Sequence, residues 1–181
     1  MPATPAELFA LLDRLGIGHR TVSHPPLFTV EQSRALRGSI PGGHTKNLFL
    51  RDKRGAFYLV AALEDAVIDL KTLGARLGAS GRFSFGPADD MRKFLGVEPG
   101  AVTPFGVVND RDGRITVVLD AAMLAHEVLN YHPLVNTMTT ALSSQDLVKF
   151  LEATGHRPRI VAMSDATSRG GRHPGEVRVG G

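Results

Sequence analysis

The chain contains no cysteine and no tryptophan in its 181 residues. Without thiols there are no disulfides, no thiolate zinc sites and no cysteine nucleophiles, so any chemistry falls to oxygen and nitrogen groups. Long apolar runs are missing too. None approaches the ~20 residues that cross a bilayer, and the N-terminus lacks a basic segment leading into an apolar one. These absences predict a cytoplasmic protein with no membrane span. Strong charge of one sign is also absent. Of the formal net charge of +3, the end of the chain from Ala166 holds Arg169, Arg172 and Arg178 against Glu176, which leaves 18 basic and 17 acidic residues before it. A body that close to neutrality does not announce a nucleic-acid partner, so RNA contacts must come from a local patch. The seven histidines include no HxxxH or HExxH helix face, and His24, His44, His126 and His132 have no recognisable ligand spacing. No GxSxG elbow exists for a serine nucleophile. No metal and no cofactor are expected.

What is present suits one globular domain, with 43% apolar and 22% charged residues. The boundaries read as one domain over 1–165 and a flexible Gly/Arg-rich tail over 166–181. In "TPAELFALLDRLG", Thr4 is an N-cap, Pro5 fits the first helical position, Glu7 completes a capping box, and Leu8, Leu11, Leu12 and Leu15 form one apolar stripe. "HRTVSH" reads as a strand. Thr29 with Gln32 forms a second capping box, opening a helix that closes near Gly38. "NLFLRD" and "AFYLVAAL" read as a hairpin joined by "DKRG", and "FGVVND" with "ITVVLDAAM" as a second hairpin joined by "RDGR". Helices are expected from Asp69 and Pro87, strands near 127–131 and 136–142, a capped helix from Ser143, and a last strand at "RIVAM". Hairpins mixed with short helices, without regular βαβ alternation, predict an α+β domain on a mainly antiparallel sheet.

The run "PGGHTKNLFLRD" (Pro41 to Asp52) joins a Gly-rich turn to an apolar strand, and it sets Lys46 where the loop meets the strand, a position suited to holding an anionic group. "GAVTP" (Gly100 to Pro104) combines a residue tolerant of positive φ with a stiffening proline, so its N–H groups can point into a pocket. His132 precedes Pro133 and is biased to an extended conformation. For RNA the best local cluster is Arg51, Lys53 and Arg54 at the first turn, with Arg34 and Arg37 on the second helix.

"HPPLFTVEQS" (His24 to Ser33), "HTKNLFLRD", "GAVTP" and "NYHPLVNTMTT" (Asn130 to Thr140) together resemble the YbaK/ProX family of trans-acting aminoacyl-tRNA editing deacylases, most closely its ProX prolyl-tRNA editing type. The resemblance covers roughly residues 5–165. It implies a YbaK-like curved, barrel-like mixed sheet flanked by helices. By activity it implies hydrolysis, in trans, of alanine mischarged onto proline tRNA, with prolyl-tRNA synthetase as a possible second partner. Lys46, Asn47, His132 and Gly100 become the catalytic set. Phe28, Thr29 and the loop Gly100, Ala101, Val102, Thr103 and Pro104 become the substrate-binding set. Three alternatives stay open: a deacylase of cysteine on proline tRNA as in the YbaK branch, a non-catalytic tRNA-binding module, and a hydrolase of free amino-acid esters.

Overall fold

The computed structural model describes residues 1–26 and 30–164. The first helix, α1 (Pro5–Arg14), begins where the sequence directs: the Glu7 amide donates to the Thr4 hydroxyl and the Thr4 amide to the Glu7 carboxylate. Leu8 and Leu12 are fully buried, and Leu11 and Leu15 pack beside them. The chain continues through β1 (Arg20–Ser23), α2 (Val30–Ser39), β2 (Gly43–Arg51), β3 (Phe57–Leu63), α3 (Leu70–Leu77) and β4 (Ser84–Phe85). Next come α4 (Ala88–Asp90), which runs on as a π-helical turn (Met91–Leu95), and a 3₁₀ helix (Pro104–Asn109). Last are β5 (Ile115–Asp120), β6 (Val128–Tyr131), β7 (Met138–Ser143), α5 (Ser144–Ala153) and β8 (Arg159–Val161).

The strands form one sheet in the order β1-β7-β6-β2-β3-β5-β8, with β4 paired to β2. The sheet is mixed, mainly antiparallel, curved and unclosed: β1 and β8 are its free edges. The β2–β6, β3–β5 and β5–β8 pairs are parallel. Side chains alternate across a sheet, and here both faces are used. The inner face, through Phe49, Leu59, Ala61 and Leu129, packs on α1, α5 and Phe105 to make the main core. The outer face, through Leu50, Tyr58, Val60 and Val118, packs on Leu73 and Leu77 of α3.

Two expectations change. The second hairpin does not form: "PFGVVN" is a 3₁₀ helix, with Thr103 accepting the Phe105 amide, and β5 pairs in parallel with β3. Pro104 inside the first turn and Gly106 set against Leu95 favour a helical turn over an extended strand. The two turns are nonetheless alike, since each is folded around an aspartate. Asp52 accepts the amides of Arg54, Ala56 and Ser80, and Asp110 those of Arg114 and Ile115. The amide bonds, that from Ser80 foremost, hold the Asp52 carboxyl below the usual aspartate range. The second change is that β2 starts at Gly43, because Gly43 and His44 pair with Leu129 and Asn130 of β6. Lys46 is therefore inside a strand, past the loop junction.

Candidate active site

The outer face carries two of the residues singled out by the sequence, Lys46 and His132. Register sets Arg20 of β1 opposite Ala141 of β7, Ala141 opposite Asn130 of β6, and Asn130 opposite His44 of β2. The next row on that face holds Val22 opposite Thr139. Two residues on from these pairs, Lys46 follows His44 on the same face of β2, and His132 follows Asn130 just past the end of β6. Lys46 donates from Nζ to the Ala66 carbonyl just past β3. The same face holds a cavity of about 450 Å³ lined by β1, β6, β7 and the end of α2, with Asn130 and Thr139 in its wall. That volume lies within the ~300–1,000 Å³ typical of small-ligand pockets.

Hydrogen bonds fix the histidines. His132 Nδ1 lies 3.0 Å from the Met138 carbonyl, which can only accept, so Nδ1 carries the proton and Nε2 keeps its lone pair. Burial pushes the His132 pKa below the ordinary histidine value, against an opposing pull from the Met138 carbonyl and with help from His24. The two rings have centroids 6.3 Å apart. His24 is fixed the same way, with Nδ1 donating to the Pro25 carbonyl at 2.9 Å and Nε2 accepting from the Thr139 hydroxyl at 2.8 Å. Asn130, in the cavity wall, donates to the carbonyls of Pro41 and Gly43, while its Oδ1 is buried without a partner among the described residues. An unmet acceptor at a cavity suits a ligand that brings N–H donors.

Asn47 is on the other face. It opposes Ala61, between Thr45 and Phe49, and its Oδ1 is also buried without a partner among the described residues. The GAVTP loop belongs to that side as well. Gly100 is exposed at φ 91, Ala101 is buried and donates to the Glu98 carbonyl, and Pro104 starts the 3₁₀ helix. The amides of Gly100, Val102 and Thr103 have no partner among the described residues. A cleft of about 400 Å³ runs between Ala101 and the segment Leu134–Asn136, with Asn136 Nδ2 3.9 Å from where a Cβ on Gly100 would stand. That segment begins at His132, whose carbonyl accepts the Leu134 amide at 3.0 Å. Leu134 is held at φ 70, a conformation costing ~1–3 kcal/mol outside glycine. The turn thus ties the GAVTP side to His132.

Of the other expected residues, Arg51, Lys53 and Arg54 share one cleft with Arg82, and Arg34 is exposed on α2, which joins the opposite end of β2. Phe28 and Thr29 lie outside the described residues, as does the Arg37 side chain. Asn130 and Thr139 do not stand out in the sequence; the signal was a polar residue on the outward step of a strand whose neighbouring residues, Leu129 and Tyr131 beside Asn130 and Leu142 in β7, face the core.

The family model for the aminoacyl-tRNA editing domain matches residues 24–150. The chain is 38% identical over 157 residues to the prolyl-tRNA editing protein ProX of Acetoanaerobium sticklandii, covering 86% of this chain and 95% of that protein. It is 40% identical over 160 residues to the prolyl-tRNA synthetase associated domain-containing protein 1 of Mus musculus, covering 86% and 94%. In fold it matches a solved candidate trans-editing enzyme for prolyl tRNA synthetase, at TM-score 0.68 and 18% identity over 92% of this chain and 100% of that one. The chain belongs to the aminoacyl-tRNA editing domain family. Within it, the chain falls among the prolyl-tRNA editing deacylases, hydrolases of the aminoacyl-tRNA ester bond. Among the described residues no helix is long and apolar enough to cross a membrane.

Proposed function

We propose that the chain removes alanine in trans from mischarged proline tRNA. The observation that carries this reading is the polar equipment of the outer face: an ammonium on β2 (Lys46), a neutral imidazole nitrogen just past β6 (His132 Nε2), and Asn130 with its unmet acceptor in the cavity wall. Water attacks the ester carbonyl carbon, the bond from that carbon to the ribose oxygen breaks, and the water's protons end on the leaving ribose oxygen and the solvent. Products are free alanine and tRNA with its 3′ hydroxyl restored. Lys46 leaves the Ala66 carbonyl to hold the terminal phosphate or the developing oxyanion, where a desolvated cation acts most strongly. The unpartnered GAVTP amides hold the carbonyl oxygen. His132 Nε2 and Asn130 Oδ1 accept from the substrate's amino group, and Asn47 orients the substrate from the inner side.

The need for such a step is physical. A synthetase pocket built for proline rejects a smaller amino acid by only ~1–3 kcal/mol for the missing methylenes, so errors require a second, smaller site. The relatives named for prolyl-tRNA editing and for association with prolyl-tRNA synthetase support proline tRNA as substrate and the synthetase as a partner. Cysteine on the same tRNA is the second substrate to weigh. Deacylation of proline tRNA carrying alanine, cysteine or serine is the test: alanine is hydrolysed fastest on this reading, and a preference for cysteine assigns the chain to the other branch.

A further inference from the structure

The turns at 52–55 and 110–114 precede β3 and β5, which are parallel neighbours with Phe57 opposite Ile115. They therefore stand side by side at one end of the sheet. Each folds around its aspartate, so Asp52 and Asp110 are drawn inside and the cations are left outside. Asp52 is 6% exposed and Asp110 4%, whereas Lys53, Arg54, Arg111 and Arg114 are exposed. Arg82 shares the first turn's cleft. On the π-helical turn Lys93 joins them: its Nζ is 5.2 Å and the Arg114 guanidinium 5.9 Å from the Phe94 ring centroid. None of these six cations forms an ion pair among the described residues, while the neighbouring acids Asp89 and Glu98 pair with Arg92, and Asp90 with Arg51. Only Asp112 stands against them at the turn tips.

This cationic end connects to the site. A cleft lined by Lys93 and Arg111 shares Pro2, Arg92 and Gly96 with the cleft that holds Ala101 and Asn136. We infer that the paired turns and the π-helical turn form the docking surface for the sugar-phosphate backbone of the tRNA, with Lys93, Arg111 and Arg114 extending the surface of Arg51, Lys53 and Arg54 toward the GAVTP loop. A chain whose body is nearly neutral concentrates its positive potential by this folding of two aspartates inward, and a row of unpaired cations matches a polyanion. The inference rests on the tRNA-editing reading.

The test is the full chain with Lys93→Gln, Arg111→Gln and Arg114→Gln together, checked for folding by thermal melt. A control carries Arg14→Gln and Lys149→Gln, exposed on α1 and α5. Binding of proline tRNA is titrated against salt, and single-turnover deacylation is measured on alanyl proline tRNA and on an alanyl ester of the trinucleotide CCA. Each phosphate that the protein no longer neutralises lowers the log–log salt slope by ~1. The triple variant therefore binds tRNA weakly with a slope lower by about 2–3, while its rate on the trinucleotide stays at the wild-type value and the control keeps the wild-type slope. Wild-type tRNA affinity and slope in the triple variant overturn the inference, including where that variant loses synthetase binding, which assigns the surface to a protein. A control that weakens as much per charge, or an equal fall in rate on the trinucleotide, also overturns it. If the wild-type chain binds tRNA through this surface and deacylates nothing, the docking inference stands and the editing reaction falls.

Discussion

Lys46 and Asn47 are adjacent in sequence and project from opposite faces of β2: Lys46 opposes Ala62 on the face that carries α3, and Asn47 opposes Ala61 on the face of the main core. One strand thus supplies a cation to one side of the sheet and an amide to the other. On the proposed function, an aminoacyl ester engaged by both Lys46 and the GAVTP loop passes the His132–Asn136 turn, which links His132 to the cleft beside Ala101.

Replacing Lys46 with alanine is expected to lower the single-turnover rate by ~10²–10³, the usual effect of removing one well-placed electrostatic partner. Its only side-chain hydrogen bond among the described residues is to the Ala66 carbonyl, so the melting temperature should fall by no more than the loss of one hydrogen bond implies. A folded Lys46→Ala variant with wild-type turnover removes Lys46 from the mechanism.

His132 gives a pH signature. Burial lowers its pKa, so the folded chain takes up the proton less readily than the unfolded chain, whose histidines titrate near ~6.5. Below that value the unfolded state binds more protons and stability rises with pH; the contribution is complete above about 6.5 and is lost as pH falls toward the folded value. Activity that needs the Nε2 lone pair follows the same direction, with an acid limb below about 6.5. His24→Gln, which removes the neighbouring ring that helps hold the His132 pKa down, should shift that limb upward. A limb unchanged in His132→Gln would place the titrating group elsewhere.

Asp110 is the strongest structural prediction. Its carboxylate accepts two amides and the ring of His156 at 2.8 Å, with both side chains 2% exposed. Truncation to alanine strands these donors in the interior and is expected to cost about 3–5 kcal/mol. Urea unfolding checks it through a lower midpoint at constant m. A loss below about 1 kcal/mol would mean that water replaces the carboxylate.

How much of this was readable in the sequence divides along local and distant causes. The caps at Thr4, Asp69 and Ser143 are local, and each accepts the amides expected of it. The strand start at Gly43 was not readable, because the pairing that extends β2 comes from Leu129 and Asn130, far along the chain. The same holds for β5, whose parallel partners β3 and β8 leave no hairpin signature. For the site, His132 and the GAVTP loop were legible as motifs. The face assignments that part Lys46 from Asn47, and that bring His24 and Thr139 to His132, depend on register and were not.

The measurement that bears most directly on the proposed function is the ratio of single-turnover deacylation rates for alanine and proline on the same proline tRNA. An editing site must spare the correct product by being too small for it, and packed walls resist overfilling at ~1–3 kcal/mol per site. Proline is bulkier and its amine is tied into a ring, so both its shape and the acceptors at His132 and Asn130 should count against it. Hydrolysis of alanine at least ~10-fold faster than of proline is the predicted result. Equal rates would show that the site is no sieve and would contradict an editing role, even in a chain that proves to be an esterase.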